Sequence, residues 1–165
     1  FVGTAGLRKG IHYLAMAATR LRAGARPCEI YVAGDVDLAA SAQAMCRDLR
    51  FLGRIARNAV QQEFLKADLF VLPSLAEGSA EATYQALGTG LPVITTAASG
   101  SAVRHGCEGF IVPERDARAL ADALERVVKN RQFRTQMSRA ARARAREFTL
   151  EHYGQRLIAA LQILE

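Results

Sequence analysis

Leu69-Phe70-Val71-Leu72-Pro73 decides the fold, and it runs directly into Ser74-Leu75-Ala76-Glu77-Gly78-Ser79-Ala80. An unbroken apolar run closed by proline has the length of a strand, and its lack of alternation predicts burial on both faces. Such strands belong to parallel sheets covered by helices on either side. The residues after Pro73 form a glycine turn, and a helix is predicted over about 80–87. Gly88-Thr89-Gly90-Leu91-Pro92 closes that helix and leads into a further strand at 93–95, and a short one follows at 109–112.

The same alternation extends toward the amino terminus. Phe1-Val2-Gly3 reads as the end of a strand, and Ile11, Leu14, Ala15, Ala18 and Leu21 recur at helical spacing up to Ala23-Gly24, where Gly24 suits a C-cap. Cys28 to Ala33 is a β-rich run ending at Gly34-Asp35, followed by a helical stretch at 38–47 and a strand at 49–52. Asn58 offers a cap for a helix carrying Val60, Phe64 and Leu65. Strands alternating with helices over short connections imply right-handed crossovers, hence an α/β fold with a Rossmann-like parallel sheet of about six strands and helices on both faces.

After Pro113 the pattern turns all-helical, over Asp116–Lys129, 131–147 and 150–164, with Thr149 as the cap of the last helix. That helix displays Tyr153, Leu157, Ala160, Leu161 and Leu164 on one side, a stripe that needs a surface to cover here or on another domain. A length of 165 residues with 50% hydrophobic content suits a single domain over 1–165 with one core. No run approaches the length of a membrane span, and no signal stretch opens the chain, which predicts a soluble, intracellular domain. Cys28, Cys46 and Cys107 are odd in number and lack metal-ligand spacing, so neither a disulfide framework nor a metal site is expected.

The formal charge of +6 admits a polyanionic partner. Much of the excess lies in Arg131, Arg134, Arg139, Arg142, Arg144 and Arg146, interleaved with alanine and not with aromatic residues. A solvated helix face explains that pattern, and nucleic acid is disfavoured because stacking side chains are missing.

In an open parallel sheet, ligands bind beyond the carboxyl ends of the strands. The first such turn, Gly3-Thr4-Ala5-Gly6-Leu7-Arg8-Lys9-Gly10, sets two adjacent cations between glycines but matches neither a dinucleotide fingerprint nor a P-loop. It reads equally as a solvated turn or a phosphate clamp. In the turn after Pro73, Ser79 offers a cap, and the small side chains of Gly78, Ser79 and Ala80 open the helix N-terminus to a pyrophosphate. Glu77 either meets sugar hydroxyls and balances positive charge on a sugar ring, or simply favours the helix dipole. Ala98-Ser99-Gly100-Ser101 supplies a second candidate wall.

Phe1 to Gly10, Phe51-Leu52-Gly53, Ala67 to Ser74, Glu77-Gly78, Gly90-Leu91-Pro92-Val93-Ile94 and Glu108-Gly109-Phe110-Ile111-Val112-Pro113, in that order and spacing, closely resemble the carboxyl-terminal domain of family 4 glycosyltransferases of the GT-B fold. The resemblance covers nearly the whole chain. It implies a retaining, metal-independent hexosyltransferase of group 1 that uses a nucleoside-diphosphate sugar, such as a UDP- or GDP-sugar, with no further cofactor. In the family an Arg follows the first glycine and a Lys lies five residues later, both on the donor pyrophosphate. Here Thr4 follows Gly3 and Lys9 matches, with Arg8 able to supply the missing charge. Of the family's glutamate pair, Glu77 matches the member near the sugar, while Gln85 stands in place of the one on the ribose. Glu81, one helical turn before Gln85, occupies a place that is usually not acidic. Gly78 and the backbones of Ser79 and Ala80 would meet phosphate, and the turn Gly53-Arg54-Ile55 would hold the base.

The family's catalytic-site histidine and acceptor groove belong to an amino-terminal domain, which is expected to be missing from this chain. The resemblance thus implies a domain that binds donor without reacting alone. Its partners would be that domain and a saccharide or lipid-linked acceptor in cell-surface polysaccharide or glycolipid biosynthesis. It implies a cytoplasmic location and is compatible with peripheral contact at the cytoplasmic membrane face. The departures at Thr4, Glu81 and Gln85 leave open a non-catalytic binding or assembly domain.

Overall fold

In the computed structural model, which describes residues 1–22 and 28–162, the run at 70–72 is a strand whose three residues are all buried. It pairs in parallel with Val93–Thr96, Phe70 opposite Val93 and Leu72 opposite Thr95, and Val93–Thr96 pairs in parallel with Gly109–Val112. A second parallel pair joins Ile30–Ala33 to Leu49–Gly53. In chain order the strands are β1 (Ile30–Ala33), β2 (Leu49–Gly53), β3 (Phe70–Leu72), β4 (Val93–Thr96) and β5 (Gly109–Val112). The helices are α1 (Ile11–Arg22), α2 (Ala40–Ala44), α3 (Arg57–Lys66), α4 (Glu81–Thr89), α5 (Ala117–Lys129), α6 (Arg131–Ala145) and α7 (Leu150–Gln162).

The fold is α/β with parallel pairing throughout, and among the described residues the named strands form a pair and a triplet. The expected first strand survives as a parallel bridge between Val2 and Ala33. Gly3, at φ 126°, interrupts the ladder there, and a second isolated parallel bridge joins Ala5 to Val36 beyond it.

The apolar periodicities come true as packing. Ile11, Leu14, Ala15, Ala18 and Leu21 of α1 are buried, and α1 lies against α5, whose Leu120, Leu124 and Val127 are buried in turn. α3 and α4 pack together with α6 behind α4. β4, buried at every position, requires cover on both faces.

Several local expectations need correction. The helix expected at 38–47 is only Ala40–Ala44 with no buried residue, since its alanines and serine offer no large apolar stripe to bury. α3 begins after an extended Ala56, which places Asn58 inside the helix and not at its cap. α4 starts after Ala80 without a side-chain cap, because the Ser79 hydroxyl bonds Tyr84 and Gly100 instead. α6 stops at Ala145 and a short 3-10 turn, Arg146–Phe148, completes the stretch. By contrast, Thr149 Oγ1 accepts from the N–H of His152, so that capping assignment holds, and Asp116 Oδ1 caps α5 by accepting from the N–H groups of Arg118 and Ala119. Gly24 and Leu164 lie outside the described residues.

The arginines of α6 and of the 3-10 turn after it divide in two. Arg131, Arg139, Arg142 and Arg146 are exposed. Arg134 donates to the Val127 and Val128 carbonyls at the end of α5, and Arg144 donates to the Ala102 carbonyl while lying 4.8 Å over the Phe148 ring. The second group fastens the helix to the domain. Arg156 also lies against the Phe148 ring, 5.4 Å from its centroid, and α7 follows that joint with none of its described residues buried. Among the described residues no helix is long and apolar enough to cross a membrane.

Candidate functional site

Parallel pairing brings the turns after Val2, β1, β2, β3 and β4 to one edge. Gly3 N–H donates to the Ala33 carbonyl and Gly34 N–H to that of Gly53, so three of these turns are tied side by side.

The first turn is pressed onto the exit of β3. A Cβ on Gly10 would lie 1.9 Å from the Pro73 carbonyl oxygen, so only glycine permits the approach, and Leu75 N–H donates to the Arg8 carbonyl at 2.8 Å. This docking sets both cations above the second turn. Lys9 Nζ lies 2.6 Å from Glu77 Oε1, and Arg8 Nη1 lies 2.9 Å from the same oxygen while also donating to the Ala76 carbonyl. The Lys9 side chain crosses Gly3, where a Cβ would stand 3.0 Å from Lys9 Cε. Lys9 and Glu77 are 14% and 12% exposed, whereas Arg8 is 59% exposed, so the pair is sheltered and Arg8 faces solvent. Burial pushes the Glu77 carboxyl up, but hydrogen bonds and charge from Lys9 and Arg8 outweigh it and hold it below the usual carboxylate range. Glu77 is therefore an anion at neutral pH.

The second turn is stapled to the 3-10 turn Ala97–Ser99. Glu77 N–H donates to the Ala98 carbonyl and Ala80 N–H to the Ser99 carbonyl, each at 2.9 Å. The Ala98–Ser101 segment, expected as a ligand wall, is thus a buttress, and the Ala80 N–H expected on phosphate is already taken. Among the described residues the exposed N–H groups of Gly78 and Ser79 have no partner. Below them, Thr95 and Thr96 donate to the Leu72 and Ser74 carbonyls and fix the end of β3.

On the other flank, Gly53 turns at φ 68° and Arg54 is 84% exposed, 4.0 Å from Asp35. Ile55 is half-buried, and Thr4 is exposed beside Gly3. Gln85 bonds within its own helix. Its Nε2 donates to Glu81 Oε1 at 2.8 Å, and Arg57, at the start of α3, pairs with the same oxygen at 3.1 Å. Sequence reasoning passed over Arg57, although a cation two residues beyond the proposed base turn was a readable signal.

A cavity of about 660 Å³ runs from Cys28, Ile30 and Phe70, at the amino-terminal ends of the strands, to Ala33 and Leu52. Glu29, Glu63 and Asp68 line it against the single cation Lys66, which makes it a poor host for an anion. No group of three or more His, Cys, Asp or Glu side chains able to hold a metal ion occurs among the described residues.

Comparison with known proteins bears on the family and the fold. The profile of the family described as "Glycosyl transferases group 1" matches residues 1–130. A D-inositol 3-phosphate glycosyltransferase of Nocardioides is 35% identical over 106 residues, covering 63% of this chain and 23% of that protein. Among solved structures, HepE of Anabaena, in complex with UDP and glucose, superposes with a TM-score of 0.83 at 22% identity, covering 98% of this chain and 47% of that one. The carboxyl-terminal domain of the group 1 glycosyl transferase LpcC of Francisella tularensis gives a TM-score of 0.78 at 19% identity, covering 87% of this chain and 81% of that one. The chain thus spans about a quarter to a half of the longer relatives.

Proposed function

The chain belongs to the glycosyl transferases group 1 family, and on that premise we propose that it is the donor-binding domain of a retaining glycosyltransferase, taking its sugar from a nucleoside diphosphate. The observation that carries this reading is the ion cluster of Lys9, Arg8 and Glu77 beside the open N–H groups of Gly78 and Ser79. The donor pyrophosphate lies over Gly3 and Thr4, taking charge-assisted hydrogen bonds from Lys9 and Arg8 and N–H bonds from Gly78 and Ser79. Ala80 serves by anchoring the turn to Ser99. Gly53, Arg54 and Ile55 hold the base, with Gln85 on the nucleoside side.

When the bond from sugar to diphosphate breaks, negative charge grows on the leaving phosphate and positive charge on the ring. Lys9 and Arg8 stabilise the first without a metal ion, and the Glu77 anion stabilises the second. The acceptor, saccharide or lipid-linked, is held by an amino-terminal domain of the same enzyme, and closure of the cleft excludes water. The exposed stripe Leu150, Tyr153, Leu157 and Leu161 of α7 is a surface for that domain to cover. The enzyme works in the cytoplasm, in assembly of a surface polysaccharide or glycolipid. Calorimetric titration with UDP, GDP, ADP and their sugar conjugates tests the reading. Saturable binding without transfer is expected, and no binding to any of them overturns it.

Thr4 and Gln85 favour a second reading, a binding or assembly domain without catalysis. Sugar transfer by a protein carrying both domains, assayed with donor and acceptor pools, decides between them.

A further inference from the structure

Glu81 is the acid in the first turn of α4, where its charge opposes a phosphate bound at the preceding turn. Its surroundings give it another use. Oε1 accepts from Gln85 Nε2 and pairs with Arg57 Nη2, while Oε2 has no partner among the described residues. The carboxylate is therefore held from α3 and α4 together with one oxygen free. Glu81 directly follows the turn Gly78–Ala80, and Arg57 lies two residues beyond the turn Gly53–Ile55. A nucleoside diphosphate with its phosphates at the first turn and its base at the second has its ribose between them. Two adjacent hydroxyls present two donors, and a carboxylate, which only accepts, is their complement.

Resting on the donor-binding reading above, we infer that Glu81 accepts hydrogen bonds from the ribose hydroxyls of the bound nucleotide. Arg57 and Gln85 are positioning residues that fix its carboxylate, and Arg57 also offsets its repulsion of the diphosphate. The ribose acceptor of this chain thus sits one helical turn nearer the phosphates than Gln85.

Calorimetry with UDP, GDP and ADP, each against its 2′,3′-dideoxy analogue, tests the assignment. Glu81 is 70% exposed, so Glu81→Gln leaves the fold intact. This variant binds the natural diphosphate about tenfold more weakly. It binds the dideoxy analogue as well as the unaltered protein does or slightly better, since a repelling charge is gone. Arg57→Ala weakens natural ribose binding in the wild-type background and has no further effect in the Glu81→Gln background. Gln85→Glu weakens binding, because two acids one turn apart repel. An equal loss with both probes, no loss at Glu81→Gln, or tighter ribose-dependent binding by Gln85→Glu overturns the assignment. Failure of the unaltered protein to bind any of the three natural diphosphates overturns the donor-binding reading instead.

Discussion

Replacing Lys9 with methionine removes one charge while keeping a stem that lies across Gly3. Lys9 Nζ is 2.6 Å from Glu77 Oε1 and both side chains are sheltered, so a phosphate reaching Nζ from the open side meets the cation where water competes poorly. Two unit charges about 4 Å apart in such a setting interact by about 4 kcal/mol, and competition with water reduces the net worth of one charged hydrogen bond to about 1.5–3 kcal/mol. Lys9→Met should therefore raise Kd for a nucleoside diphosphate roughly ten- to 150-fold. The variant also leaves Glu77 with the solvent-exposed Arg8 as its remaining ion-pair partner, for a stability loss of about 1 kcal/mol. Calorimetry at neutral pH reads the affinity, and a urea melt on the same sample reads the stability. A Kd within twofold of the unaltered protein, with the fold intact, would refute the phosphate role of Lys9.

Gly3→Ala places a Cβ against Lys9 Cε at a residue with φ 126°, and should weaken diphosphate binding several-fold and destabilise by about 1–3 kcal/mol, read by calorimetry and urea melts. Gly10→Ala drives a Cβ into the Pro73 carbonyl, so a loss of about 3 kcal/mol or more in chemical denaturation is expected, together with loss of nucleotide binding. Glu108 is fully buried against Arg104; burial raises its pKa, but the Arg104 bonds outweigh this and hold it down. A carboxyl depressed on folding contributes stability above its unfolded pKa of about 4.3 and loses it as pH falls through the folded value. Stability measured from pH 6 to pH 2 should fall with acid, and Glu108→Gln should be less stable at pH 6 with a shallower slope. Phe148→Ala removes the ring that both Arg144 and Arg156 lie against, and should raise hydrogen exchange across 150–162.

The fold was legible where periodicity was strong. Leu69 to Leu72 and the α1 stripe each named their partners' faces, because a fully apolar strand and a 3.6-residue repeat admit few solutions. Helix starts were less legible. Ser79 and Asn58 are good capping residues by type, but tertiary bonds decided otherwise, with the Ser79 hydroxyl drawn to Tyr84 and Gly100 across the turn. The candidate site was readable as residue types and strand ends. The convergence of Arg8 and Lys9 on one oxygen of Glu77 was not, since it depends on Gly10 meeting Pro73 across more than sixty intervening positions. The same holds for Arg57 and Glu81, which come from different helices.

Amide chemical-shift mapping with a nucleoside diphosphate tests the central claim most directly. Saturable shifts should be largest at the N–H groups of Gly78 and Ser79, with smaller ones at Gly3, Thr4 and Lys9, and none around Cys28, Ile30 and Asp68 at the opposite end of the strands. Shifts centred on that opposite end, or none that saturate, would contradict the account.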